Sequence, residues 1–189
     1  MKALLLLGSP RKKGNTELLL NKIIQGIEQA HGEWELIRLP GLDIHPCIGC
    51  GTCEKKGICV FKDDMQSLYE KISRADRIII GSPIYFYNVT AQAKLFIDRC
   101  QALWSKKYVL KQPIGSNPDR CGYLVSVSAT RGARIFEGAK LTAQYVFDAM
   151  DCTYAGNLLV QGIDKKGVIS DSPDELQRAI DFGIDLAGS

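Results

Sequence analysis

Five short apolar runs alternate with five stretches in which apolar residues recur at helical spacing, and this alternation constrains the chain more than any other feature. The runs are KALLLLG, WELIRLP, DRIIIGSP, CGYLVSVSA and AGNLLVQGI. The helical stretches are TELLLNKIIQGIEQA, DDMQSLYEKISRA, TAQAKLFIDRCQALW, ARIFEGAKLTAQYVFDAM and SPDELQRAIDFGIDLA. Strands that alternate with helices predict an α/β fold, a parallel sheet with helices on both faces.

The first, third and fourth runs are almost continuously apolar, which suits strands buried on both sides, and right-handed crossovers leave few topologies open. The expected fold is a flavodoxin-like doubly wound five-stranded parallel sheet of order 2-1-3-4-5. With 189 residues, 46% of them hydrophobic, the chain can bury a proper core and is expected to form a single domain over 1–189. Two excursions interrupt the alternation. One is a cysteine-rich insertion at about 41–62, and the other is a polar loop at 105–120.

The apolar start, Met1 to Leu7, breaks at Gly8-Ser9-Pro10, which is too short for a membrane span and carries no signal-peptide pattern. The expectation is a cytoplasmic protein with no membrane association, in which thiols stay reduced. A net charge of +3 and the absence of a long basic run give nucleic-acid binding no support.

In an open parallel sheet, ligands bind beyond the carboxyl ends of the strands near the switch point. The loop after the first strand, GSPRKKGNT, offers Ser9, Arg11, Lys12, Gly14, Asn15 and Thr16 just before a helix, a combination suited to a phosphate. It lacks the lysine of a Walker loop and the three glycines of a dinucleotide fingerprint, so a terminal monophosphate fits best. An ordinary strand-to-helix turn capped by Asn15 or Thr16 is the competing reading. The loop after the third strand brings Pro83, Ile84, Tyr85, Phe86, Tyr87 and Asn88, flat faces with polar tips for a planar ring. Among these, Phe86 is expected to cap the core. The loop after the fourth strand adds Ser128, Thr130, Arg131 and Gly132. Together the three loops describe a pocket for a flat ring with a phosphate tail, and flavin mononucleotide (FMN) fits it.

The insertion carries Cys47, Cys50, Cys53 and Cys59, spaced C-x2-C-x2-C-x5-C. Structural zinc sites usually pair one knuckle with a distant second pair of ligands. Successive C-x2-C steps separated by small residues are closer to the wrap of a [4Fe-4S] cluster, with Cys59 as the fourth ligand. Zinc, a redox-active thiol set and a segment without metal remain open alternatives. His45 is read as a surface residue without a partner, and Cys100, Cys121 and Cys152 as core or near-core residues.

The motifs GSPRKKGNT, CIGCGTC followed by GICVFKDDM, and ADRIIIGSPIYFYNVTAQAKLFIDR together resemble the iron-sulfur flavoproteins of the wider NADPH-dependent FMN reductase family. The resemblance is strong over residues 2–132 and weaker beyond. It implies bound FMN, with Ser9, Arg11, Asn15 and Thr16 on the phosphate and Pro83 to Asn88 along the flavin. It also implies a [4Fe-4S] cluster on the four cysteines, a homo-oligomer (dimer or tetramer) and a flavin reached from the cluster of a neighbouring subunit.

The expected activity is that of an electron-transfer flavoprotein passing electrons between cluster, FMN and a small acceptor such as oxygen, peroxide or a quinone, with a carrier such as ferredoxin as possible partner. The rival enzyme is an NAD(P)H-dependent FMN or quinone reductase without a cluster, and the non-enzymatic alternative is a zinc or thiol sensor. No Ser-His-Asp set or paired carboxylate site is evident, so no residue is assigned as catalytic. Asp63 and Asp64 read as favourable helix starters.

Overall fold

A computed structural model describes residues 1–188. The chain runs β1 (Lys2–Leu7), α1 (Asn15–Gln29), β2 (Glu33–Arg38), α2 (Thr52–Lys56), α3 (Met65–Arg74) and β3 (Arg77–Pro83), then α4 (Ala91–Arg99) and α5 (Gln101–Trp104). It continues with β4 (Cys121–Ser128), α6 (Glu137–Ala149), β5 (Thr153–Gln161) and α7 (Pro173–Gly188). The strands form one sheet of order β2-β1-β3-β4-β5 in which every adjacent pair is parallel, the flavodoxin-like order expected.

The apolar runs become strands because side chains alternate across a sheet and here both faces are covered. In β1, Leu4 and Leu6 enter the core beneath α3, α4 and α6, whereas Ala3, Leu5 and Leu7 enter the core beneath α1 and α7. Each of these leucines is at most 2% exposed, and burying one stabilises the fold by roughly 1.5–3 kcal/mol. On the second face α1 and α7 touch backbone to backbone. A Cβ at Gly26 would overlap the carbonyl oxygen of Ile180, and one at Gly183 that of Ile23.

At the amino ends of the strands, just before β4, the buried guanidinium of Arg120 donates to the carbonyls of Ile72 and Ala75 at the end of α3 and of Met150 at the end of α6. A cation there satisfies carbonyls that two helix ends leave open. Sequence periodicity misses both the short helix α2 and a π-helical turn directly after α5. That turn, Ser105–Val109, opens the segment expected to be a polar loop, and from it Lys107 and Tyr108 reach Asp148 on α6. No helix among the described residues is long and apolar enough to cross a membrane.

Candidate functional site

The loops after β1, β3, β4 and β5 close around a cavity of about 140 Å³ at the carboxyl edge of the sheet. Ser9, Arg11, Gly14, Asn15, Thr16, Pro83, Ile84 and Tyr85 all line it, together with Val127 and Ala129. Buried hydroxyls tie the edge together: Thr90 donates to the carbonyl of Gly8, Ser82 accepts from Thr90 N–H, and Ser126 donates to the carbonyl of Ser82.

Gly14, not Asn15 or Thr16, is the N-cap of α1, and no side chain caps that end. The N–H groups of the first turn are open there, beside the buried Ser9 and Thr16 and the exposed Arg11, and donors of this kind suit an anion. Asn15 has another task. Its side-chain amide donates to the carbonyl of Lys165 at 2.9 Å and accepts from Ile169 N–H at 3.3 Å, which pins the loop after β5 against the loop after β1. That loop adds Ile163, Asp164 and Lys166 to the lining. Sequence reading missed them, and the only local signal was a charged loop following the last strand.

Eight of the expected residues lie outside this lining. Lys12, Thr130, Arg131 and Gly132 are exposed around it, and Ser128 donates to the carbonyl of Thr130. Asn88 accepts from Thr142 Oγ1 on α6 at 3.2 Å. Phe86 does not cap the core; it is fully exposed. Tyr85 and Asn88 exchange backbone hydrogen bonds across a tight turn, and Phe86 and Tyr87 at its centre take φ of 48° and 64°, which turns the rings outward. Tyr87 lies over the start of α6, where a Cβ at Gly138 would come within 2.6 Å of its carbonyl oxygen.

The four cysteines of the insertion line a second cavity, of about 440 Å³, together with Phe61 and with Asp98, Arg99, Gln101 and Ala102 of α4 and α5. All four are free thiols. The segment wraps the cavity because Gly49, Gly51 and Gly57 take φ of 63°, 68° and 68°, left-handed values that other residues adopt at a cost. Ser105, from the π-helical turn, donates to Cys53 Sγ at 3.4 Å. The Cys50 thiol is pulled below its ordinary pKa, chiefly by its side-chain hydrogen bond with Thr52. Among the described residues, no three His, Cys, Asp or Glu side chains stand close enough to hold a single metal ion. Four thiols facing one concavity are the donor set that suits a polynuclear iron-sulfur group.

Arg99 fastens the insertion to the fold. Its Nη1 donates to the carbonyl of His45 at 2.7 Å, both Nη atoms donate to Asp63, and its guanidinium lies 5.0 Å from the centre of the Phe61 ring. His45 is therefore not without partners: its ring stacks on Phe61 at 5.1 Å, with Nδ1 3.5 Å from Asp63. Asp63 also accepts from Met65 N–H, the helix-starting role expected of it. Burial alone would raise the Asp63 pKa, but the Arg99 fork and the N–H groups of His45 and Met65 outweigh it and hold the carboxyl at about 2.

One helix joins the two cavities. Thr90, the N-cap of α4, is hydrogen-bonded to Gly8 beside the first, while Arg99 ends α4 at the second. Nine residues at the helical rise place the two ends roughly 13 Å apart.

The sheet order and the cavity at its switch point define a flavodoxin-like protein. A profile described as NADPH-dependent FMN reductase matches residues 1–154. An iron-sulfur flavoprotein of Methanosarcina thermophila is 32% identical over 143 residues, covering 76% of this chain and 69% of that protein. Another, of Archaeoglobus fulgidus, is 46% identical over 99 residues, covering 52% of this chain and 45% of that protein, so the chain matches about half the length of that relative. The chain belongs to the iron-sulfur flavoprotein family, within the NADPH-dependent FMN reductases. Among solved structures, an NAD(P)H:quinone oxidoreductase from Methanothermobacter marburgensis superposes with a TM-score of 0.75 over 98% of this chain and 96% of that one, at 17% identity, a likeness of fold.

Proposed function

We propose that the protein is an FMN-dependent oxidoreductase that moves electrons between a [4Fe-4S] cluster on Cys47, Cys50, Cys53 and Cys59, FMN at the carboxyl edge of the sheet, and a small acceptor such as oxygen, peroxide or a quinone. The observation that carries this reading is the gathering of four thiols around one cavity at the far end of a helix whose N-cap abuts the flavin edge. When bound, the cluster supplies one-electron and the flavin two-electron chemistry.

The chain's own residues bind and orient. The open N-terminus of α1, with Ser9, Arg11 and Thr16, holds the phosphate, and Pro83, Ile84 and Tyr85 line the ring. Gly49 and Gly51 bend the cysteine segment around its cavity, and Arg99 holds it against α4. Cys50→Ser tests the assignment: iron and sulfide should be lost while FMN stays bound, and a variant with full iron content would contradict it.

Assembly into a homo-oligomer is part of the proposal. Tyr87, Leu141 and Tyr145, 59%, 57% and 66% exposed, continue from the Phe86 turn along one face of α6, an apolar patch suited to a second copy.

A second reading, an NAD(P)H-dependent FMN or quinone reductase without a cluster, is supported by the description of the matching family. Rapid bleaching of the flavin by NAD(P)H in iron-free protein would favour it.

A further inference from the structure

The side chain of Arg99 is 1% exposed, and its two Nη atoms are engaged by Asp63 and by the carbonyl of His45. Its Nε is buried and has no hydrogen-bond partner among the described residues. A buried N–H without an acceptor costs about 1–3 kcal/mol, so a fold that keeps one usually has an acceptor to offer it. Arg99 lines the same cavity as the four cysteines. Of the two carboxylates in that lining, Asp98 is already held by Lys94 at 2.7 Å and Glu54 is on the exposed helix α2. Gln101 in the same lining is exposed, and the other side-chain acceptors there are the cysteine sulfurs, one of which, Cys53 Sγ, already accepts a hydrogen bond from Ser105. Cys59 and Arg99 line the same cavity.

We propose that Arg99 is a positioning residue of the cluster: its Nε–H donates to a cluster sulfur while its two Nη atoms anchor it to Asp63 and His45. This rests on the reading that the four cysteines hold a [4Fe-4S] cluster. A donor aimed at a cluster sulfur favours the more negative, reduced state and so raises the reduction potential. The ion pair with Asp63 fixes the guanidinium plane, and thereby the direction of Nε–H. One arginine then both fastens the insertion and adjusts the group it encloses.

The test is Arg99→Lys in anaerobically purified protein. Lysine keeps the cation and its attraction to Asp63 but has no Nε–H fork. In the protein that retains its iron and sulfide, the reduced-to-oxidised ratio of the cluster at a fixed ambient potential should fall about tenfold, about 59 mV for a one-electron couple. The flavin potential should not move. Full iron content with an unchanged cluster potential overturns the proposal and leaves the cluster reading intact, whereas parent protein without iron and sulfide overturns both. Should Arg99→Lys fail to fold, the parent labelled with 15N at arginine Nε serves instead. Electron-nuclear resonance of the reduced cluster should show a 15N coupling, and a spectrum without one overturns the proposal.

Discussion

Arg99 grips Asp63 with both terminal nitrogens, at 2.5 and 2.9 Å, and each side chain is only 1% exposed. The pair joins the end of the cysteine insertion to α4. Removing one partner strands the other charge in the interior, so Asp63→Asn should cost about 3–5 kcal/mol at neutral pH. The pH dependence has a definite sign. The carboxyl is held at about 2, below its unfolded value near 3.9, so the stability it contributes is complete above about pH 4 and is lost as pH falls toward 2. Urea unfolding between pH 2 and 6 should show about 2 kcal/mol of this loss in the parent and its absence in Asp63→Asn. Equal slopes in the two proteins would contradict the pairing.

The approach of α1 to α7 yields a prediction remote from either cavity. Gly183→Ala places a methyl against the carbonyl of Ile23, which can be relieved only by moving one helix off the other. A loss of about 1–3 kcal/mol in thermal or urea unfolding is expected, with FMN affinity nearly unchanged. Parent-like stability would mean the two helices have room to part.

These two contacts show where sequence reading reaches and where it stops. The five strands and the order of the sheet were legible because burial on both faces imposes continuous apolar runs such as Leu4 to Leu7. The loop after β1 was legible as a cavity lining because its residues are contiguous in the chain. The grip of Arg99 on His45 and Asp63 was not, since its partners lie 54 and 36 positions away. The loop carrying Asp164 and Lys166 joins this cavity through side-chain hydrogen bonds from Asn15 and Arg11, about 150 positions distant. Phe86 misled because an aromatic ring suggests burial, whereas a turn with positive φ at both central residues directs it to solvent. The cysteine spacing singled out the four thiols that line one cavity, but the concavity itself depends on three left-handed glycines and on Ser105 from another segment.

Arg11 lines the cavity at the carboxyl edge of the sheet, beside the uncapped start of α1. A charge-assisted phosphate contact contributes about 1.5–3 kcal/mol, so Arg11→Ala should weaken FMN binding by roughly ten- to a hundredfold. Riboflavin affinity should change little, because riboflavin lacks the phosphate. Flavin fluorescence titration of both ligands checks this, and an equal loss for the two would move Arg11 away from the phosphate.

The turn at Phe86 and Tyr87 holds two non-glycine residues at positive φ. Replacing them together, Phe86→Asn with Tyr87→Gly, supplies the residues such a turn prefers and should stabilise the monomeric fold by about 1–2 kcal/mol. The same change removes the exposed rings proposed to meet a second copy, so sedimentation should show weaker self-association. A more stable protein with unchanged association would take the turn out of the interface.

The central claim is that the four cysteines around the 440 Å³ cavity hold a cluster beside an FMN-binding edge. The most direct test is the absorption spectrum of anaerobically purified protein together with iron, sulfide and flavin counts per chain. Broad absorption over the flavin bands, with about four irons, about four sulfides and one FMN, is the expected result. Clean flavin bands with neither iron nor sulfide would contradict it and leave a plain flavin reductase.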